Sequence, residues 1–234
     1  MTKNPLAILF ILCICFLVFE LSPIDIYIQD IFYNFESKHW LLDRNEPITK
    51  LIFYDGIKAV FIVFVVSLLI TLLFFSHKLI VKQYKKRLLI VLLSCIVVPL
   101  LIGFLKGITN VPCPKNIERY GGNYPYVTVL TKYPATFQQT SNIKCYPAGH
   151  ASGGFALMSL FFLFLSPNKK KVSLVSAIGL GWITGSYKMI IGDHFFSHTL
   201  MTMVLSWLII LFIVEVVDKF KSGSETGTGL AVRH

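Results

Sequence analysis

The sequence predicts an all-α fold, a bundle of helices that crosses a membrane. Of its 234 residues, 55% are hydrophobic and only 15% are charged, and the mean hydropathy is +0.68. This composition is more apolar than a soluble domain requires. A hydrocarbon core about 30 Å thick is crossed by about 20 helical residues. Six apolar runs suit such spans: 5–19, 59–76, 88–105, 151–166, 172–187 and 195–214.

The apolar runs differ in quality. Runs 59–76 and 88–105 contain no charged residue, so each predicts a spanning helix by itself. Run 172–187 is diluted by Gly179, Gly181 and Gly185. Small residues of this kind allow close approach of helices within a membrane, so we expect this run to pack inside the bundle.

Lysine and arginine collect in short segments that alternate along the chain. They occur at Lys3 and in the stretches HKLIVKQYKKR, NKKK and DKFK, which six spans place on one side of the membrane. Positive charge in short loops marks the cytoplasmic side, so both termini are predicted to be cytoplasmic. The net charge of +10 is then mainly a topology signal, and we expect no nucleic-acid binding.

The rest of the chain divides simply. Residues 1–221 are predicted to form a single domain, and the polar stretch 222–234 is expected to be a disordered tail. The stretch IDIYIQDIFYNF alternates like a strand but also repeats at helical spacing; we favour an interfacial amphipathic helix. A cleaved signal peptide is disfavoured for the first 20 residues, because Glu20-Leu21-Ser22 offers no small-residue cleavage site.

Two cysteines lie in the long loop 106–147, which the topology places outside the cytoplasm. An oxidising compartment would allow Cys113 and Cys145 to form a disulfide, and two unpaired thiols are the alternative. The sequence leaves both possibilities open.

Four basic side chains stand at helix junctions that the topology brings to one membrane face. Lys106 opens KGITNVPCP, His150 closes PAGH, and Lys188 and His194 stand in YKMIIGDH. Lysines near a headgroup region also occur for snorkelling alone, and PAGH could merely begin a helix. Together, however, the cations and the free amides of a helix start predict an anion site, with two histidines for nucleophilic and acid chemistry.

These stretches resemble the signature of the phosphatidic acid phosphatase type 2 superfamily, written KxxxxxxRP, PSGH and SRxxxxxHxxxD. The runs SPIDIYIQDIFYN and TNVPCPKNIERYGGNYPY further resemble the branch that contains lipid A phosphatases. The resemblance implies a six-helix membrane bundle with its site at the outer face. It also implies a phosphatase that needs no cofactor and forms a phosphohistidine.

The resemblance assigns roles residue by residue, with departures. Lys106 matches the first lysine, and Cys113 stands where arginine is expected; Arg119 is the candidate to supply a guanidinium. Ala148 replaces serine, leaving Gly149 and the general acid His150. Lys188 replaces arginine and keeps only the charge. His194 matches the nucleophile, and His198 stands where the family has the aspartate that orients it.

The sequence as a whole predicts a lipid phosphatase of a bacterial inner membrane that acts at the periplasmic face. Catalysis falls to His194, His150 and His198, and phosphate binding to Lys106, Arg119, Lys188, Ala148 and Gly149. Its partner would be a phospholipid or glycolipid, lipid A first, with undecaprenyl pyrophosphate and phosphatidylglycerophosphate as alternatives; no protein partner is expected. A phosphotransferase, an inactive family member and a non-catalytic lipid-binding protein remain open. A metal site is disfavoured, since the lysines would repel a cation.

Overall fold

The structure, a computed structural model, describes residues 4–228, with side chains described for residues 4–219. Within these residues the protein is a helical bundle whose only sheet is a two-stranded ribbon. The predicted all-α class is therefore confirmed.

The chain begins with a helix that turns sharply before the ribbon. Helix α1 (Pro5–Leu21) starts at Asn4, whose side chain accepts a hydrogen bond from the amide of Leu6. After a 72° bend comes α2 (Ile24–Asp30), followed by β1 (Tyr33–Asn34) and its antiparallel partner β2 (His39–Trp40). The stretch that showed both helical and strand-like spacing thus forms first a helix and then a strand.

Two long helices follow. Helix α3 (Pro47–Lys50) continues through a π-helical turn (Leu51–Gly56) into α4 (Ile57–Phe74), and α5 (Leu79–Ile108) returns antiparallel to it. At 1.5 Å per residue, the 30 residues of α5 extend about 45 Å, enough to cross a bilayer. Apolar side chains of α4 such as Val60 and Leu73 point outward, as expected for a surface in contact with lipid.

The loop after α5 is held to the bundle by defined contacts. It contains two 3₁₀ turns (Pro114–Asn116 and Glu118–Tyr120). A disulfide between Cys113 and Cys145 joins the two ends of the loop. Farther out, the carboxylate of Glu20 accepts hydrogen bonds from the amides of Val129 and Leu130. The loop therefore has an ordered path despite its few regular elements.

The second half of the bundle forms the core. Helix α6 (Gly149–Ala156) continues through a 3₁₀ turn (Leu157–Ser159) into α7 (Leu160–Leu163), followed by α8 (Pro167–Ile190) and α9 (Phe196–Thr228). Trp207, Phe155 and Met158 are fully buried where these helices meet α5. Helix α9 continues into the stretch predicted as a disordered tail, 222–234, as far as Thr228; residues 229–234 lie outside the described residues.

Each of the six apolar runs is mostly helical, although runs 59–76 and 151–166 extend past the helix ends at Phe74 and Leu163. Not all of these helices meet the requirements of a span. Among residues 4–228, three helices are long and apolar enough: Pro47–Phe74, Leu79–Ile108 and Phe196–Lys219; the bent pair α1–α2 makes a fourth. The apolar segment Gly149–Leu163 is shorter, and α8 is not in this set. The protein is membrane-compatible, while the number six and the orientation of the termini stay predictions.

Helices α6 and α8 approach one another through glycine. A Cβ on Gly181 would lie 2.3 Å from Cδ1 of Phe155, whereas a Cβ on Gly179, two residues earlier, has no atom within 4 Å. We expect Gly181→Ala to lower the melting temperature in detergent, because the overpacked core costs about 1–3 kcal/mol. Gly179→Ala is the matched control and should keep or raise the melting temperature, since alanine favours helix. Equal melting temperatures for the two variants would contradict this packing.

Candidate active site

A cavity of about 410 Å³ lies where the loop, α5, α6 and the α8–α9 turn meet. His150, His194, Tyr54 and Asp193 line it. Its cationic lining side chains are Arg44, Lys50, Lys106, Lys115, Lys144 and Lys188. Four sequence-predicted residues, Lys106, His150, Lys188 and His194, are thus brought together. With one carboxylate against six cations, the cavity strongly favours an anion.

The turn between α8 and α9 sets the position of the nucleophile candidate. Gly192 has a φ of +75°, a conformation that glycine adopts without strain. The amides of Asp193 and His194 both donate to the carbonyl of Lys188, over 2.8 and 3.2 Å. Trp40 covers the turn so closely that a Cβ on Gly192 would lie 2.3 Å from its ring. Lys188, Asp193 and His194 therefore form one rigid unit.

Asp193 organises the lysines of the cavity. Its Oδ1 lies 2.6 Å from Nζ of Lys115, and its Oδ2 lies 2.9 Å from Nζ of Lys188. Burial by itself raises the pKa of Asp193, but hydrogen bonds and charge from Lys115 and Lys188 outweigh it and hold the pKa below its ordinary value. The carboxylate is therefore ionised near neutral pH. The geometry makes Asp193 the anchor of two cations.

His194 is almost completely buried and close to three other groups of interest. Its ring centroid lies 6.0 Å from that of His150 and 5.7 Å from that of His198. Nδ1 lies 3.5 Å from Sγ of Cys145, and Nε2 has no hydrogen-bond partner among the described residues. Burial first, and then the neighbouring imidazoles and lysines, lower the pKa of His194 well below its ordinary value. The imidazole is therefore neutral at neutral pH, as a nucleophile must be.

The disulfide brings the loop against this histidine. Cys113 and Cys145 are joined, which resolves the choice that the sequence left open. Sγ of Cys145 also lies 2.9 Å from the carbonyl oxygen of Asp193. The loop is thereby fixed directly beside the α8–α9 turn.

His198 is buried next to His194 but forms no hydrogen bond with it among the described residues. Its carbonyl accepts from the amide of Ala148 over 3.1 Å and from Oγ1 of Thr202 over 2.7 Å. Its ring packs edge-on against Tyr146, with centroids 5.1 Å apart, and its Nδ1 is buried without a partner. In this structure His198 locks the start of α6 onto α9.

The start of α6 carries the helix-start amides that PAGH predicted as an anion site. No side chain caps this end. The amide of Ala148 is engaged by His198, so the sequence-predicted role of Ala148 in binding phosphate is not supported by its geometry. Lys106 packs over Gly149, with Nζ 3.9 Å from where a Cβ would stand. Lys106 and the amides of Gly149 and His150 therefore lie together at a positive helix end.

Arg119 is not brought to the cavity. Its guanidinium binds both carboxylate oxygens of Asp30, over 2.8 and 2.6 Å, and lies over the ring of Phe35. Arg119 follows the first motif by only a few residues in the sequence, but its bidentate ion pair with the carboxylate at the end of α2 holds it away from the cavity. The guanidinium that lines the cavity belongs to Arg44, which lies 3.5 Å from Asp193.

Sequence reasoning missed four cations of the cavity: Arg44, Lys50, Lys115 and Lys144. Lys115 follows the first motif directly, a signal that could have been used. Arg44 and Lys50 lie in a segment without any motif, and only the ribbon and α3 bring them to the site.

One cluster has the donor types of a metal site. Ligand atoms of Cys145, His194 and His198 lie within 4.8 Å of one another. The sulfur of Cys145 is bonded to Cys113 and supplies no thiolate, which leaves two imidazoles, fewer than the three or four protein ligands of zinc sites. The donor set fits a metal poorly, and metal independence stays a prediction.

A second cavity of about 470 Å³ adjoins the first and shares Tyr54, Lys106 and His150 with it. It runs between α4, α5, α6 and α8 at the depth of the apolar helices, along Phe61, Ile62 and Leu180. An anion site and an apolar groove therefore meet at His150.

Fold and cavity together define a helical, membrane-compatible protein with a histidine site for a phosphate-like anion. The family model of the PAP2 superfamily matches residues 87–222, more than half of the 234 residues, and the chain belongs to this superfamily. Its members are phosphatases, hydrolases of phosphoric esters. Comparison with curated proteins and with solved structures finds no match. The predicted superfamily is confirmed, and the lipid A phosphatase branch stays a prediction.

Proposed function

We propose that the protein is an integral-membrane lipid phosphatase that removes phosphate from an envelope lipid through a phosphohistidine at His194. The observation that carries this proposal is the neutral, buried His194 beside His150 in a cavity lined by six cations. Phosphoryl transfer depends chiefly on positioning and charge neutralisation, and this cavity supplies both.

The reaction would proceed in two displacements. Nε2 of His194, which has no other partner among the described residues, attacks phosphorus, and the bond from phosphorus to the ester oxygen breaks. Burial and the charges of Lys188 and Lys106 lower the pKa of His150 to about 4; the negative charge of a bound phosphate raises it again, so that a protonated His150 gives its proton to the departing oxygen. His150 then takes a proton from water, whose oxygen attacks the phosphohistidine. Inorganic phosphate leaves and His194 is restored.

Lysines would hold the transferred phosphate during both displacements. Lys188 and Lys115 are fixed by Asp193, and Lys106 lies over Gly149 at the start of α6. Because these ammonium groups are positioned before the substrate arrives, little reorganisation is needed as charge develops on the phosphate oxygens.

A lipid substrate is supported by the apolar cavity that shares His150 with the anion site. A phosphate near His194 would place the attached chain between α4 and α6, at the depth of the lipid tails. We propose lipid A as the first candidate, because the outer-loop sequence resembles that branch, followed by undecaprenyl pyrophosphate and phosphatidylglycerophosphate.

The proposed setting is a bacterial inner membrane, with six spans, cytoplasmic termini and the site at the periplasmic face. The alternating basic loops support this orientation. The disulfide beside the site suits an oxidising compartment.

The proposal is tested by phosphate release from the purified protein in detergent, with EDTA present throughout. The panel contains lipid A, undecaprenyl pyrophosphate, phosphatidylglycerophosphate and phosphatidic acid. We expect release from at least one lipid, undiminished by EDTA. Loss of activity with EDTA would contradict metal independence, and no release from any lipid would favour a phosphotransferase or an inactive member.

A further inference from the structure

Helix α2 has two polar side chains buried on one face. Asp25 is 4% exposed and Gln29 is 0% exposed, and a spacing of four residues puts them on the same side of the helix. Tyr27 lies on the opposite side and is 66% exposed. A buried carboxylate or amide is costly unless it is hydrogen-bonded. The partners of Asp25 and Gln29 therefore indicate what this helix does.

These two side chains hold the chain on either side of the α8–α9 turn. Nε2 of Gln29 donates to the carbonyl oxygen of Met189 over 2.8 Å, at the end of α8. The carboxylate of Asp25 accepts from the amide of Ser197 over 2.9 Å and also from its hydroxyl, in the first turn of α9. The segment from Met189 to Ser197 contains His194. Helix α2 thus holds both ends of the segment that carries the nucleophile candidate.

Both contacts engage backbone groups that the end of a helix leaves free. The first amides and the last carbonyls of an α-helix have no partner within the helix. Phe195, which precedes α9, has no polar side chain to cap its first amides, so Asp25 supplies the cap from another helix. A carboxylate is favoured at this place because the start of a helix is electropositive. Gln29 likewise engages a carbonyl at the end of α8.

Helix α2 is also fixed to the loop after α5. Arg119 and Tyr120 both donate to the carboxylate of Asp30, and the hydroxyl of Tyr120 lies 2.8 Å from its Oδ1. The ring of Tyr33, shortly after α2, packs against the ring of Tyr120 with centroids 5.2 Å apart. Helix α2 is therefore held from two sides, by this loop and by the α8–α9 turn.

From these contacts we infer that Asp25 and Gln29 are positioning residues for the reaction, which act by fixing the place of His194. This inference rests on the proposed phosphatase function. Neither side chain lines the anion cavity, so neither is placed to touch a phosphate bound there. Attack on phosphorus requires Nε2 of His194 at a defined distance and angle, and a displacement of about 1 Å can cost about 10²-fold in rate. Both residues precede the stretch 87–222 that the superfamily model matches.

Single turnovers of dioctanoyl phosphatidic acid, with the purified full chain in saturating excess, measure this effect. The rate constant for release of dioctanoylglycerol then does not depend on the fraction of misfolded protein. Asp25→Ala is expected to lower it about 10²-fold, and Gln29→Ala to lower it as well, because each frees one end of the segment that carries His194. Asp25→Asn keeps an oxygen for the amide of Ser197 and should recover most of the rate. Tyr27→Ala, on the exposed face of the same helix, should leave the rate constant unchanged.

Hydrogen exchange in the same proteins separates the role of α2 from the proposed function. We expect the amides between Met189 and Ser197 to exchange faster in Asp25→Ala and Gln29→Ala than in the wild type or Tyr27→Ala, because the turn is held at only one end. If the wild type does not turn over the lipid, the proposed function fails on this substrate, and the exchange result alone decides whether α2 holds the turn. Unchanged exchange at the turn would overturn the inference. A lower melting temperature of Asp25→Ala with an unchanged rate constant would also overturn it, since that result describes a merely structural contact.

Discussion

His194→Ala is expected to abolish phosphate release, with a fall in kcat of about 10⁴-fold or more, as when a nucleophile is removed from an enzyme whose residues act as a unit. The reason is geometric. The neighbouring imidazoles belong to His150 and His198, with ring centroids 6.0 and 5.7 Å away, and neither can take the place of a nucleophile held by the α8–α9 turn. Initial rates on the preferred lipid measure the effect.

The control for this variant is His77→Ala. His77 lies between α4 and α5, at the opposite end of α5 from Lys106, so its loss should leave the rate within twofold or so. A His194→Ala protein that folds, as judged by its melting temperature, and keeps more than a tenth of the activity would contradict the assignment of the nucleophile.

Lys188→Ala should produce the second largest effect, a loss of about 10²–10³-fold in kcat/KM, comparable to the removal of one preorganised donor to a developing anion. Nζ of Lys188 lies 2.9 Å from Asp193 and 4.5 Å from the centroid of the Tyr54 ring. Removing it takes a cation from the phosphate and leaves the buried carboxylate of Asp193 with fewer partners. Kinetics on the same lipid measure the loss.

Lys188→Arg tests whether a positive charge at this position is what activity requires. The superfamily signature has arginine at this position, so a guanidinium should restore most of the activity that Lys188→Ala loses. If the arginine variant were as inactive as the alanine variant while keeping its melting temperature, charge neutralisation at this position would not be the role of Lys188.

Hydropathy predicted the helices well, because the bilayer requires long apolar stretches and these stand out in any sequence. The run 88–105, for example, lies within α5. Hydropathy predicted less well which of the helices are long and apolar enough to cross a membrane. Helix α8 is rich in glycine because it packs against α6, as Gly181 does against Phe155, and such packing lowers the hydropathy on which the prediction depends.

Motif spacing predicted the centre of the site. Lys106, His150, Lys188 and His194 do line one cavity, because each stands where a helix meets the same face of the bundle. Arg119 could not be placed in this way. Its partner Asp30 is 89 residues away in the sequence, and no local sequence pattern shows that these two residues form a bidentate ion pair.

The role of His198 also could not be predicted from motif spacing. The spacing of four residues predicted that its ring lies near that of His194, and it does, although His194 precedes α9. The contacts that decide the role of His198 are made by its backbone carbonyl to Ala148 and Thr202. Likewise, nothing in the sequence joins Cys145 to the ring of His194, a contact that depends on how the loop returns to the bundle.

The most direct test of the account is to trap the phosphoryl group on the protein. Purified enzyme is mixed with its preferred lipid, quenched within milliseconds under alkaline conditions that preserve phosphohistidine, and digested for mass spectrometry. The account predicts phosphate on the peptide that contains His194, lost in His194→Ala and unchanged in His77→Ala. Rapid phosphate release without any phosphorylated His194, or with the phosphate on another residue, would contradict it.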